Sequence, residues 1–167
     1  REPARGLPST SGAVLLQIGS LLANDSDDWR LYAAQQTLNA GGIDGAQRSI
    51  DQISSESPFA PDAEIIRASI EIERGNDEAA AAAAERALAI AGDRWSIIAS
   101  VGDVYRRIGH PDRAIPAFDR ALTMTQDAED RADVLGWRAY AHRFAGNLTA
   151  ATADMRAAYE IDQSIDT

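Results

Sequence analysis

Trp137, Tyr140 and Arg143 stand three residues apart, a spacing that sets their side chains on one face of a helix. Aromatic rings beside a guanidinium can hold a partner by stacking, cation–π attraction and hydrogen bonds to a carboxylate. This is recognition chemistry, and the residues on which catalysis commonly rests are scarce. There is no cysteine, and all 16 basic residues are arginine. The chain therefore has no Schiff-base nucleophile, no phosphate-loop lysine and no thiol or thiolate ligand. His110 and His142 are the only histidines, and without an H-E-x-x-H pairing they read as structural residues. The run Asn24-Asp25-Ser26-Asp27-Asp28 has the acidity of a calcium loop but not its central glycine or closing glutamate, so it reads as a solvated linker and helix cap. Asn147-Leu148-Thr149 is a glycosylation sequon, which has meaning only on a eukaryotic secretory route. With no glycine-rich phosphate loop and no nucleophile elbow, the expectation is no catalytic residue, no cofactor, no metal site and no enzyme.

The elements that position these residues follow from composition. The chain has 167 residues, 45% hydrophobic and 25% charged, enough for a sizeable core. Aromatics make up only 6%, while alanine, the best helix former, is abundant and lets helices approach closely. The net charge of −10 and the pI near 4.6 oppose binding to phosphate backbones and anionic lipid, so no nucleic-acid partner is expected. The longest apolar run, Ala79–Ala84, is too short to span a bilayer, so no direct membrane insertion is expected. A first residue of Arg1 rather than Met suggests a mature or excised fragment. The compartment stays open, with the soluble bacterial cytoplasm and periplasm as the expected choices.

Self-similarity then organises the chain. Gly41, Gly75, Gly109 and Gly146 are spaced 34, 34 and 37 apart. Five residues after each stands an alanine: Ala46, Ala80, Ala114 and Ala151. Seven before each is a small residue: Ala34, Ala68, Gly102 and Ala139. Further registers hold apolar residues at Ile50, Ala84, Phe118 and Met155, and at Ile53, Ala87, Ala121 and Ala158. Offsets of three, four and seven place these groups on one helical face. Each glycine suits the residue after a helix C-terminus, where a left-handed backbone is common. Asp and Asn in the turns that follow, at Asp44, Asn76, Asp77, Asp112 and Asn147, can cap the next helix. Each unit is a helical hairpin that must stack on its neighbours to bury its apolar face.

The third unit reads Ile98-x2-Val101-Gly102-x2-Tyr105, then Ala114-x3-Phe118 and Ala121. This resembles the tetratricopeptide repeat, in which a large residue precedes a Leu-Gly pair, a Tyr, then Ala and Phe. Pro58 matches the family's closing proline, whereas Ala33-Ala34, Arg67-Ala68 and Arg138-Ala139 depart from the Leu-Gly core. The resemblance implies an all-α, right-handed solenoid of stacked helix-turn-helix repeats at 27–60, 61–94, 95–128 and 132–165, after a lead at 1–26. That lead contains an apolar stretch at 13–23, read as a helix that caps the array or remains from a preceding repeat. Helices are expected near 28–40, 44–55, 62–74, 77–91, 95–108, 112–125, 128–145 and 148–161. Divergent repeats this rich in alanine and arginine look bacterial.

The resemblance also implies a function: a protein-interaction module that binds a peptide or protein on the concave face, lined by each repeat's first helix. Carried over by position, that face holds Leu31, Gln35, Leu38 and Asn39, then Ile65, Ser69, Ile72 and Glu73. It continues through Ala99, Asp103, Arg106 and Arg107 to Gly136, Tyr140, Arg143 and Phe144, with Tyr32, Ile66, Ser100 and Trp137 at its border. Gln35, Ser69, Asp103, Arg106, Arg107, Trp137, Tyr140, Arg143 and Phe144 are the candidate partner-binding residues. The lysine–asparagine clamp of chaperone adaptors with this fold is absent: Leu31, Gln35, Ser69, Ser96 and Ser100 occupy its places. Two readings of the aromatic residues stay open. Either Trp137 and Phe144 face a partner, or they pack beneath a further repeat. The alternative function is a structural or spacer segment of a larger assembly scaffold, such as a bacterial envelope or secretion complex, with end-to-end self-association through the terminal repeats.

Overall fold

The computed structural model describes residues 26–165. The apolar stretch at 13–23 and the start of the acidic run therefore lie outside the described residues. Among these residues eight helices follow one another: α1 (Asp27–Asn39), α2 (Ile43–Ile50), α3 (Ala60–Glu73), α4 (Asp77–Ile90), α5 (Trp95–Arg107), α6 (Pro111–Met124), α7 (Ala128–Phe144) and α8 (Leu148–Ile165). There is no strand among the described residues. The helices pair as four hairpins, and successive hairpins stack into an all-α solenoid.

The turn glycines explain the pairing. Gly41, Gly75, Gly109 and Gly146 have φ of 81°, 75°, 77° and 78°, a left-handed backbone that glycine adopts without a Cβ penalty. Behind each turn the small registers meet at the crossing. Ala34 and Ala46, Ala68 and Ala80, and Ala114 are fully buried. Helix α4 carries this furthest, with Ala80, Ala83, Ala84 and Ala87 all inaccessible, so its neighbours approach its backbone closely. Each first helix then serves two layers. On α3, Ala63, Ile66 and Ile70 pack back on Ala34, Ala46 and Ile50, while Ala68 joins the core of the later hairpins.

Three helix ends depart from expectation. Helix α2 stops at Ile50, short of 55. The serine-rich segment after it bonds to itself, Ser54 Oγ accepting from Glu56 N (3.2 Å) and Ser57 Oγ from Phe59 N (3.2 Å), a local competitor to helix. Helix α3 begins at Ala60, and Pro61 sits in its first turn, where no N–H is needed. Helix α8 runs on to Ile165 because no glycine or proline interrupts it. The lengthened α7 is as expected: Asp127 caps it, its carboxylate accepting from Glu129 N (2.9 Å) and Asp130 N (3.3 Å). Asn147 likewise accepts from Ala150 N (3.3 Å). Asn76 does not cap α4; its amide donates instead to Glu71 Oε2 (2.9 Å). No helix among the described residues is long and apolar enough to cross a membrane.

Candidate functional site

The first helices α1, α3 and α5 lie side by side, and their exposed faces form a groove with two adjoining hollows. The first, about 280 Å³, is lined by Leu31, Tyr32, Gln35, Asp62, Ile65, Ile66, Ile97 and Ser100. The second, about 360 Å³, is lined by Gln35, Leu38, Asn39, Gly41, Ser69, Glu73 and Arg107. Gln35 belongs to both, at the step from an apolar hollow to a polar one. Branched side chains on α1 and α3 give the first its walls, with short Ser100 leaving room beside them, as short Ser69 does in the second.

The polar groups of the second hollow are already engaged. Arg107 donates to Glu73 Oε1 (3.2 Å) and Ser69 Oγ (3.4 Å), and Gln35 donates to Asn39 Oδ1 (2.9 Å). These exposed contacts exchange readily with water or a ligand. Arg106 turns the other way, its Nη2 2.6 Å from Asp103 Oδ1. The structure thus brings Gln35, Ser69 and Arg107 together and sets Asp103 and Arg106 against each other. Ala99, placed on this face by the resemblance, is fully buried. Asp62 and Ile97 line the apolar hollow although the carried-over positions omitted them. Their signal was available: Asp62 lies one helical turn before Ile65 on the same face.

A separate patch stands on α7. Tyr140 is 44% exposed and Phe144 63%, with the Arg143 guanidinium 5.3 Å and 5.9 Å from their ring centres. Trp137 divides its role. It is 37% exposed, yet its ring lies 6.4 Å from that of buried Phe118. The histidines occupy structural places. His110 precedes α6 at its N-cap, and His142 lies 3.9 Å from the buried Asp154. Asp154 is held by Arg138, which donates to it through Nε (2.8 Å) and Nη2 (2.6 Å) and through Nη1 to Asp119. The bond to Asp154 above all, with Asp119 adding to it, holds the Arg138 guanidinium above its ordinary range despite burial. In the preceding hairpin, burial pushes the Tyr105 phenol up, and Arg113 lies over that ring at 4.2 Å.

Comparison with known proteins agrees with this fold. A family model described as "Tetratricopeptide repeat" matches residues 33–94 and 102–164. No functionally curated protein matches the sequence. Two crystal structures of MamA resemble the chain at 18% identity, with TM-scores of 0.66 and 0.63. The first match covers 93% of this chain and 90% of that one, the second 92% and 82%. The crystal structure of BtubC (BKLC) from P. vanneervenii gives a TM-score of 0.70 at 18% identity, covering 93% and 74%. Identities this low carry the fold.

Proposed function

Because the chain belongs to the tetratricopeptide repeat family, we propose that it is a protein-interaction module whose first-helix groove, the concave face in this family, holds a peptide or protein partner. The observation that carries this reading is the pair of hollows joined at Gln35. Their sequence of surfaces fits an extended segment that buries an apolar side chain against Leu31, Ile65 and Ile97. Its next polar group meets Ser69, Glu73 and Arg107. The separate α7 patch of Trp137, Tyr140, Arg143 and Phe144 offers a second contact in the last repeat, where guanidinium and rings suit an acidic residue. Asp103 and Arg106 are bonded to each other and line neither hollow, so they stand outside this reading. A display library of extended peptides, selected on the chain, tests the proposal. Binders should weaken tenfold or more with Tyr32→Ala or Gln35→Ala, since truncated anchors at a contact centre cost about 2 kcal/mol. Binders indifferent to these and to Tyr140→Ala would overturn it. The second reading, a spacer segment of a larger assembly, is favoured by the uncovered outer side of α8.

A further inference from the structure

The junctions between neighbouring hairpins share one electrostatic direction. Among the described residues, the arginine belongs to the later hairpin and its carboxylate to the earlier one. Arg67 reaches Asp51 (2.9 Å) and Arg74 reaches Asp44 (3.5 Å). Arg107 reaches Glu73 (3.2 Å) and Arg113 reaches Glu85 (2.6 Å). Arg94, at the N-cap of α5, reaches Asp62 (2.7 Å), and Arg138 reaches Asp119. Asp51, Glu85 and Asp119 share one register, ten residues after Gly41, Gly75 and Gly109. Ten residues after Gly146 that register holds Arg156. The charge is reversed at the outer end. The registers of Glu73 and Asp44 lose their carboxylates there too, to Phe144 and Thr149, while that of Asp62 keeps Asp133.

The apolar registers persist at this end. Ile50, Ala84 and Phe118 are fully buried beneath the following first helix, but their counterpart Met155 is 47% exposed. Leu122 is 8% exposed and its counterpart Tyr159 63%. The structure therefore has an apolar strip of the kind a first helix covers, next to an arginine with no carboxylate partner among the described residues. We propose that the outer face of α8 docks an amphipathic helix of another polypeptide. This helix lies where the first helix of a further hairpin would and sets a carboxylate against Arg156. An arginine in that place, as α7 supplies with Arg138 at the preceding junction, would meet Arg156 as a like charge. The charge reversal thus disfavours a covering helix of the Arg67 or Arg138 type, would be indifferent to one of the α5 type with Val101 in that place, and favours an acidic helix.

The chain's own covering helix supplies the probe. Two labelled peptides of the 17 residues of α7 (Ala128–Phe144), held helical by a side-chain crosslink on the exposed face, differ only in Arg138 or Arg138→Glu. Their binding to the whole chain is read by fluorescence anisotropy, with peptide helicity checked by circular dichroism. The Arg138→Glu peptide should bind about tenfold more tightly than the unaltered one, a modest coupling for a close charge pair. Arg156→Asp in the protein should reverse that preference, and Tyr159→Asp should abolish binding of both. Gln35→Ala should change neither, which separates this face from the groove. Equal affinities, a preference unmoved by Arg156→Asp, or no binding by either helical peptide would overturn the proposal. So would a wild-type dimer in sedimentation that Tyr159→Asp dissociates, since a second copy would then be the occupant.

Discussion

Gly102 and Phe118 occupy each other's space: a Cβ on Gly102 would stand 2.8 Å from Cε1 of the Phe118 ring. The ring is fully buried and cannot swing out, because Trp137 of the next hairpin lies against it. The glycine therefore sets how closely α5 and α6 approach, and through Phe118 how the third hairpin meets the fourth.

Gly102→Ala should lower the melting midpoint, since overpacking a tight contact costs about 1–3 kcal/mol. Gly136→Ala is the matched control. It lies in α7 with nothing within 4 Å of a new Cβ, so removing helix-interior glycine should stabilise by about 0.5–1 kcal/mol. Thermal unfolding of both variants decides this, and shifts of the same sign would refute the packing account.

Trp137 and Tyr140 should separate folding from binding. Trp137→Ala removes a ring that covers Phe118 and should lower stability by about 2 kcal/mol, less than the ~3–5 kcal/mol of a core ring because Trp137 is partly exposed. Tyr140→Ala should leave unfolding within about 0.5 kcal/mol of wild type, as at other exposed sites. A Tyr140→Ala chain that melts much earlier would place this ring in the core.

The Arg138–Asp154 pair should be costly to halve. Asp154 is 6% exposed, and Arg138→Met strands its carboxylate at a cost of about 3 kcal/mol. Adding Asp154→Leu should restore much of the loss, because an apolar pair replaces a buried ionic one at little net cost. Urea unfolding of the single and double variants measures the recovery, and a double variant weaker than either single one would contradict it.

Acid should loosen the turn after α3. The Asn76 amide above all holds the Glu71 carboxyl below the ordinary range; burial opposes it, and Arg74 adds to the lowering. A carboxylate depressed in the folded state contributes stability above its unfolded value, and loses it as pH falls through the depressed one. Asn76→Ala should therefore raise the Glu71 titration midpoint and move acid unfolding to higher pH. Carboxyl carbon NMR reads the first directly, and an unmoved midpoint would remove Asn76 from this role.

Much of the fold was legible because it is built from short-range rules. The glycine register marked each left-handed turn, and the small residues marked the crossings. Local competition escaped that reading. Asn76 bonds to Glu71 across a turn rather than to its own helix, and Ser54 and Ser57 end α2 early by bonding to nearby N–H groups. Both outcomes depend on how neighbouring polar groups divide a few donors and acceptors, which residue type alone leaves undecided.

The amino-acid sequence by itself determined a period, and with it the hairpin, the stack and the family, since repeated apolar spacing admits one way of burying each face. Tertiary structure alone decided which of the face residues share a hollow. Gln35 reaches both hollows, Ile97 enters one and Ala99 is lost to the core, because the angle and distance between adjacent first helices decide what stays open. It also decided which arginines are occupied: Arg107 finds Glu73 and Arg138 finds Asp119 across a junction. Such pairs join residues 34 and 19 apart in the chain, and only the packed helices bring them within reach.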